Sequence, residues 1–362
     1  MHLALDRSLA LARRVEKNPD RRVAFTAGVA LGAAALLAGA SQGCGPKPPE
    51  AAWEVVQSDL PGALPSVWGT AADDIYVVGG IPPSEPLVLH FDGAAWTRLQ
   101  TGATSALWWS YGFAGGPVYM VGYDGLVLRY DPATGEFTEE LTPGTQTLFG
   151  VWGPAEDDLW AVGGLVSAPA GQQAVWHRDA TGWTAVTLPP AGDTDAYFKV
   201  WGSATDDVWI VGRDGLTAHW DGVAWSVSPS GAEVLFTVHT DGARVVAVGD
   251  YASALIAEWN GAAWDVTRPS MGQQLNGVWL SATRDYAVGN FGEVYSRPGG
   301  AGATAESWAH DGVPLTDEDL HAVWVDPTGD AWACGGNLLA FDSGVVLHYG
   351  LPSAGSGVVN GL

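Results

Sequence analysis

The sequence predicts an all-β protein, a seven-bladed β-propeller of four-stranded antiparallel blades. A short apolar run that ends in glycine occurs seven times, with the glycine at Gly79, Gly122, Gly163, Gly212, Gly249, Gly289 and Gly335. About ten residues before each glycine lies a second repeated position, mostly tryptophan, and this spacing holds although the loops between repeats differ in length. Four-stranded sheets with a period of about 40–50 residues are typical of propellers.

Residues 200–225, VWGSATDDVWIVGRDGLTAHWDGVAW, give the repeat in its clearest form. Val, Ile and Trp favour the pleated, half-buried surface of a strand. The pairs Asp206-Asp207, Asp214-Gly215 and Asp221-Gly222 separate the apolar runs, and such pairs favour tight hairpin turns. The unit therefore predicts three strands and the start of a fourth.

The two ends of the repeat region complement each other. Residues 51–56, AAWEVV, resemble the fourth strand of a repeat that has no repeat ahead of it, and the seventh repeat stops after Gly350 without a fourth strand. Pairing the two would remove both open edges of the array. We therefore expect the strand around Trp53 to lie beside His348 and Tyr349 and to close the last blade. An open β-solenoid, the alternative, gives that N-terminal strand no role.

Residues 1–44 have the form of an export signal. Basic residues precede an uncharged run over 23–40, which ends in small residues before Cys44. This segment resembles a bacterial lipoprotein signal, which implies lipidation of Cys44 and an outer-membrane or periplasm-facing protein. Cleavage at an Ala-x-Ala-like site with secretion, and an uncleaved anchor, are the alternatives. We expect residues 45–50 to be a proline-rich tether, 51–350 the propeller and 351–362 a flexible tail.

The composition restricts the partners. The formal net charge is −24, and six of the basic residues lie in the first 22 positions, so the remaining chain is still more acidic. Such a chain repels phosphate backbones and anionic lipids, so we expect no nucleic-acid partner and membrane contact only through a lipid anchor. We expect a monomer. With Cys44 lipidated, Cys334 is the one cysteine left and predicts a small buried apolar residue.

The repeat resembles those of known propeller families. YVVGG at Tyr76–Gly80, followed by FDGAAW, resembles a kelch repeat, and YDPATGEF at Tyr130–Phe137 is the best single match. The HWDGxxW segments are similar to the Asp-box repeats of sialidase-like propellers, and tandem VWG…DVWxVG…HWDGxxW units resemble predicted exported bacterial lipoproteins. A double glycine survives in only three repeats. The resemblance specifies the fold well and the chemistry poorly.

The repeated polar residues predict structure rather than chemistry. His90, His219 and His348 share one repeat position, with His177 one place later, and acidic pairs such as Asp206-Asp207 fall in turns. Residues at one repeat position lie in different blades, whereas catalytic and metal sites need groups that converge. The sequence also lacks a nucleophile elbow, a zinc cluster and a phosphate loop. We therefore expect no catalytic residues, no metal and no cofactor.

Residues that depart from the repeat are the candidates for ligand binding. Trp108, Trp109, Tyr123 and Asp124 combine aromatic and acidic groups that would suit a sugar or a peptide. The leading hypothesis is an exported, non-enzymatic binding or scaffold module for a protein or glycan partner. A sialidase-like hydrolase or lyase acting on glycans and an assembly factor for an envelope complex are the alternatives. Converging carboxylates, His and Arg at the channel mouth would favour an enzyme; an apolar lining would favour binding.

Overall fold

The computed structural model describes residues 50–165, 172–189, 196–270, 272–304, 307–312, 314–351 and 359–362. These residues form 28 strands in seven four-stranded antiparallel sheets, so the predicted seven-bladed propeller is confirmed. The expectations for the export signal, Cys44 and residues 45–49 of the tether lie outside the described residues. No helix in the described part of the chain has the length and apolarity needed to span a membrane.

In blades 1 to 6 the strands follow in chain order from the channel outwards, and in blade 7 the outer strand is the first strand of the chain. Blade 1 consists of β2 (Ala63–Ala71), β3 (Asp74–Gly80), β4 (Pro86–Phe91) and β5 (Trp96–Arg98). Blade 2 consists of β6 (Leu107–Gly112), β7 (Val118–Gly122), β8 (Val127–Asp131) and β9 (Glu136–Glu139). Blade 3 consists of β10 (Thr147–Ala155), β11 (Asp158–Gly164), β12 (Ala174–Asp179) and β13 (Gly182–Ala185). Blade 4 consists of β14 (Tyr197–Ala204), β15 (Asp207–Gly212), β16 (Leu216–Trp220) and β17 (Trp225–Pro229). Blade 5 consists of β18 (Leu235–Thr240), β19 (Val245–Gly249), β20 (Leu255–Trp259) and β21 (Trp264–Thr267). Blade 6 consists of β22 (Leu275–Trp279), β23 (Arg284–Gly289), β24 (Val294–Pro298) and β25 (Ala309–His310). Blade 7 consists of β26 (Asp319–Val325), β27 (Ala331–Gly336), β28 (Gly344–Gly350) and β1 (Ala52–Leu60). The first strands of neighbouring blades contact each other all round the ring and surround the channel.

The N-terminal strand closes the ring as predicted. β1 pairs antiparallel with β28, with Trp53 opposite Tyr349 and Glu54 opposite His348. The last blade thus takes three strands from the C-terminal end and one from the N-terminal end. Because β1 and β28 pair with each other, neither strand has an unpaired edge on that side.

Tryptophans at the outer strands hold neighbouring blades together. Trp264 of blade 5 packs edge-on against Trp209 of blade 4, with ring centroids 5.6 Å apart. Trp225 of blade 4 packs in the same way on Trp160 of blade 3, at 5.2 Å. Edge-to-face aromatic pairs add about 0.5–1.5 kcal/mol to the burial of their area. The repeated fourth-strand tryptophan is therefore a contact between blades.

Glycine follows the first-strand aromatic residue in blades 1 to 4 because a Cβ atom there would collide with a backbone carbonyl of the same hairpin. In blades 1, 2 and 4 that Cβ atom would also press on the preceding blade's tryptophan. A Cβ atom added at Gly202 of blade 4 would lie 2.5 Å from the indole of Trp152 in blade 3. The same relation places Gly112 of blade 2 against Trp68 of blade 1. The VWG motif is therefore a packing motif between inner strands.

The repeated histidines and aspartates bond within single blades. The Nε2–H groups of His90, His177 and His219 donate to Asp74, Asp158 and Asp207 at 2.9, 2.7 and 2.9 Å. Each imidazole also lies against the second-strand aromatic, as His219 does on Trp209 with centroids 4.0 Å apart. The bond from His90 holds the pKa of Asp74 below its usual value. These groups are spread over the blades and do not converge.

One position in this set differs from the sequence prediction. His177 pairs with Trp160 across the strand ladder just as His219 pairs with Trp209, so it does not lie one place later in the repeat. The aromatic neighbour precedes His177 in β12, whereas it follows His219 in β16. Aligning the repeats on that neighbour therefore shifts the histidine by one residue.

The end of the chain lies against blade 1. Asn360 forms a parallel bridge with Thr97 of β5, and its backbone N–H donates to the carbonyl of Trp96 at 2.9 Å. Val359 is buried beside it. The described end of the expected tail is thus paired with the outer strand of the first blade, while residues 352–358 lie outside the described residues.

Candidate functional site

A β-bulge recurs at the start of every inner strand. In blade 2, Leu107 pairs with Gly122 and Trp109 with Val121, so Trp108 is an extra residue in the ladder. A Cβ atom on Gly122 would collide with the backbone carbonyl of Ala106, which explains the repeated glycine at the end of the second strand. Bulges redirect a side chain and often lie beside functional sites.

The bulges place one side chain from each blade at the same end of the channel. We call this end the entrance face; the inner strands begin here and the second strands end here. The bulge residues, in blade order, are Pro65, Trp108, Phe149, Phe198, Phe236, Asn276 and His321. Four consecutive blades therefore contribute an aromatic ring.

These rings form one continuous arc. Their centroids are 5.3 Å apart from Trp108 to Phe149, 5.5 Å from Phe149 to Phe198 and 5.7 Å from Phe198 to Phe236. A loop tyrosine extends each end, Tyr123 at 6.1 Å from Trp108 and Tyr251 at 5.7 Å from Phe236. We call these six residues the aromatic arc.

The arc is covered at one end and open at the other. Trp108 is only 7% exposed, because Phe341 and His321 of blade 7 reach across the mouth to 5.9 and 6.0 Å from it. Phe198 and Phe236 in blades 4 and 5 are half-buried, as is Tyr251. Among the described residues of the arc, those at blades 4 and 5 are therefore the more accessible to an incoming group.

The next residue of each inner strand forms the floor beneath the arc. These residues are Ser66, Trp109, Gly150, Lys199, Thr237, Gly277 and Ala322. Only two are large, and those two touch. The Nζ atom of Lys199 lies 2.9 Å from the centroid of the Trp109 ring and donates to the carbonyl of Phe149 at 3.3 Å.

The floor contains a buried amine. Lys199 is 1% exposed, and no carboxylate of the described residues lies within ion-pair distance of it. Burial therefore holds the pKa of this amine well below its usual value. Burial, together with Lys199, also lowers the pKa of His321 to about 3, and its Nδ1–H donates to the carbonyl of Pro65 at 2.6 Å. The indole N–H of Trp109 is buried without a partner.

Aromatic rings fill the channel below the floor. Trp201 contacts Tyr111 at 5.5 Å and Trp279 at 5.1 Å, so rings from blades 2, 4 and 6 meet across the axis. A cavity of about 10 Å³, enough for about one water molecule, lies among Trp201, Trp279 and His239. A ligand at the entrance face therefore cannot extend into this part of the channel.

Carboxylates surround this aromatic surface. Asp124 follows Tyr123 in a left-handed backbone conformation, is exposed, and accepts a hydrogen bond from Ser105 at 2.9 Å. Other carboxylates on the described loops of the entrance face include Asp214, Glu233, Asp250, Glu293, Asp317 and Asp342, and Arg213 and Arg268 are basic residues among them. Arg268 is paired with Asp250 at 2.6 Å. The surroundings of the arc are thus acidic.

The residues predicted to bind ligand lie at this mouth but are less accessible than expected. Trp108 and Tyr123 belong to the covered end of the arc, and Trp109 is 6% exposed in the floor. Asp124 is the exposed member of the four. Sequence reasoning missed Lys199, Phe198 and Phe236. An alignment of the repeats on the second-strand glycine would have placed Phe198 at the position of Trp108 and Phe236 next to it. Lys199 also stands out because it is the only lysine after residue 50.

The main cluster of opposite charges lies away from the mouth. Asp285, fully buried, accepts from Arg244 and Arg297 at 2.5 and 2.8 Å, and Arg297 also binds Glu258 at 2.7 Å. Arg244 and Asp285 begin second strands, which places the network at the opposite face, between blades 5 and 6. The described residues contain no group of three or more His, Cys, Asp or Glu side chains placed to hold a metal ion.

Comparison with known proteins supports the fold. The chain matches no protein-family model and no curated protein. It is similar to the solved structure of a streptogramin B lyase, at 10% identity and TM-score 0.61, over 83% of this chain and 98% of that one. It is also similar to YCF48 bound to D1 peptide, at 15% and 0.61, over 82% and 96%. The WD40 repeats of RRP9 match at 12% and 0.62, over 83% and 97%. At these identities the likeness is one of fold, and the kelch-like and Asp-box-like resemblance stays a prediction.

Proposed function

We propose that this chain is a non-enzymatic binding module of the bacterial envelope that holds a protein partner on its entrance face. The observation that carries the proposal is the open end of the aromatic arc, formed by Phe198, Phe236 and Tyr251. Half-buried aromatic rings on rigid strands supply contact area at low entropic cost. The blades fix the position of Phe198 and Phe236, because each of these two rings stands on a bulge of an inner strand, and Tyr251 packs against Phe236 from a loop.

The acidic surroundings define the partner further. A ligand at the open end of the arc would approach Asp214 and Glu233, whereas Asp250 is already paired with Arg268, so a segment that combines apolar and basic side chains fits best. A basic side chain could also lie over a ring of the arc, where its charge is attracted to the π face. We therefore propose an apolar and basic peptide segment of a partner protein as the ligand.

Two of the similar structures illustrate that the fold alone leaves the function open. One is a lyase, and another is bound to a peptide. The arrangement in this chain supports binding, because tryptophan and valine residues, with His239 and Thr237 as the polar members, line the described channel below the mouth. A glycan-active enzyme would need acid–base groups converging on one bond. We infer a binding role from the mouth itself.

The proposal includes a lipid anchor on Cys44, so the propeller would be held at a membrane surface in the envelope. Incorporation of radiolabelled palmitate tests this part. Wild-type protein should take up the label and Cys44→Ser should not; label retained in Cys44→Ser would reject the anchor.

Affinity capture from detergent-solubilised envelopes tests the binding site. The comparison uses wild type, a double variant Phe198→Ser with Phe236→Ser, and Val223→Ser as the matched control. Val223 is an exposed apolar residue (86%) in the turn between β16 and β17, at the opposite face. A specific partner should be captured by wild type and by Val223→Ser, and at least tenfold less by the double variant. Equal capture by all three would overturn the site.

A further inference from the structure

A second concave site lies on the side of the propeller, at the junction of blades 6 and 7. The cleft has a volume of about 340 Å³. This is within the range of about 300–1,000 Å³ usual for small-molecule sites. Trp53 and Tyr349 form one wall, and Val294, His310 and Leu315 form the other. Leu315 lies in the β25–β26 loop, which also carries Asp317 of the entrance face, whereas Trp53 and Tyr349 lie on the fourth and third strands of blade 7.

The cleft exists because the outer strand of blade 6 is shortened. β25 has two residues, whereas the fourth strands of blades 1 to 5 have three to five. Trp308, the tryptophan of this region, packs inwards against Arg297 at 4.5 Å. Trp53 is half-buried, as is the equivalent Trp225 of blade 4, whereas Trp96 of blade 1 is fully buried.

A fixed carboxylate borders the aromatic wall. One oxygen of Asp311 accepts from the indole N–H of Trp53 at 3.2 Å, and the other accepts from Arg284 at 3.2 Å. The guanidinium of Arg284 is itself held 5.7 Å from the ring centroids of both Tyr286 and Tyr349. A carboxylate oxygen has more than one lone-pair site, so Asp311 can still accept hydrogen bonds from a ligand.

The wall and the carboxylate together fit one class of ligand. The aromatic faces of Trp53 and Tyr349 can pack on the apolar C–H face of a sugar ring, while its hydroxyl groups donate to Asp311. Arg284 is already paired with Asp311, so an anionic ligand would find no unpaired charge there. We propose that this cleft binds an uncharged pyranose unit of a glycan. The residues that line this cleft include none of the aromatic arc.

Saturation-transfer NMR and isothermal titration calorimetry of the full-length protein with neutral hexose disaccharides test the proposal. The wild type should bind at least one of them, and Asp311→Ala should weaken that binding at least tenfold. Glu136→Gln, which alters an exposed carboxylate on β9, should bind as the wild type does.

A second variant guards against loss of folding. Leu315 is 48% exposed, so Leu315→Arg should leave the fold intact while filling the cleft, and it should also reduce binding at least tenfold. The entrance-face variant Phe198→Ser should bind the sugar normally, which separates this site from the first. The proposal is overturned if the wild type binds no neutral disaccharide at millimolar concentration, if Leu315→Arg binds normally, or if uronic-acid sugars bind better than neutral ones.

Discussion

The amine of Lys199 lies 2.9 Å from the centre of the Trp109 ring, inside the channel and beyond the reach of solvent. Its one hydrogen-bond acceptor is the carbonyl of Phe149. A buried amine without a carboxylate partner costs free energy of folding, because water solvates the charged form far better than a protein interior does. Such a residue stabilises the fold poorly, and we interpret it as part of the mouth's binding function.

The first prediction follows directly. Lys199→Met keeps the length and apolar stem of the side chain and removes the amine, so it should raise the free energy of unfolding at neutral pH by about 1–3 kcal/mol. Urea unfolding followed by tryptophan fluorescence measures the change.

The pH dependence gives this prediction its control. The pKa of Lys199 in the folded state lies below the unfolded value of 10.5, so the unfolded chain binds the proton more tightly. The free energy of unfolding of the wild type should increase as the pH rises from neutral towards 10.5. The difference in this free energy between Lys199→Met and the wild type should therefore shrink. A variant that is less stable than the wild type at neutral pH would show that the amine supports the fold.

A second prediction concerns acid. Burial lowers the pKa of His239 to about 3, whereas the unfolded residue titrates near 6.5. As the pH falls below 6.5, the unfolded state takes up the proton first, so the folded state loses stability down to about pH 3 and is unaffected above 6.5. At about pH 5 the loss from this one group should be roughly 2 kcal/mol.

The matched variant for this test is His239→Phe, which keeps a ring between Trp201 and Trp279. Its stability should fall less between pH 7 and pH 5 than that of the wild type, as measured by urea unfolding at both pH values. The same slope in both proteins would contradict the assignment.

The third prediction tests the packing of inner strands. Gly202→Ala places a methyl group 2.5 Å from Trp152, so we expect a loss of about 1–3 kcal/mol from overpacking. Gly302→Ala is the control, since a Cβ atom there meets nothing within 4 Å. Thermal unfolding of both variants should separate them by several degrees, and equal melting temperatures would speak against close contact at this point.

The fourth prediction tests ring closure. Trp53→Ala removes packing against Tyr286 and Tyr349 at 5.6 and 5.5 Å, together with the bond to Asp311. We expect it to lower the free energy of unfolding by about 3 kcal/mol, as large aromatic truncations do. Val223→Ala, at an exposed position, should change it by less than about 0.5 kcal/mol. If Trp53→Ala left the free energy of unfolding unchanged, the N-terminal strand would contribute little to the stability of the last blade.

The sequence predicts the architecture because each repeat carries its own packing signals. These signals can be read within a single repeat or at one end of the repeat region. They are the glycine at the end of the second strand, the tryptophan before it and the unpaired fourth strand around Trp53. They specify the blade count and the closure without any knowledge of long-range contacts.

The mouth could be predicted only in part, because a bulge rather than a motif builds it. Trp108 and Trp109 are recognisable as departures from the repeat. However, the β-bulge places Trp108 at the mouth and Trp109 in the floor. This bulge lies where the backbone of Gly122 comes close to the carbonyl of Ala106. The contact of Lys199 with Trp109 joins blades 4 and 2, and no pattern within one repeat encodes it.

Site-specific photo-crosslinking tests the central claim most directly. Benzoylphenylalanine is placed at position 198, on the open end of the arc, or at position 223, at the opposite face, and whole cells are irradiated. We expect one discrete crosslinked partner from position 198 and none from position 223. Crosslinking to the same partner from position 223 alone, or from neither position, would contradict binding at the entrance face.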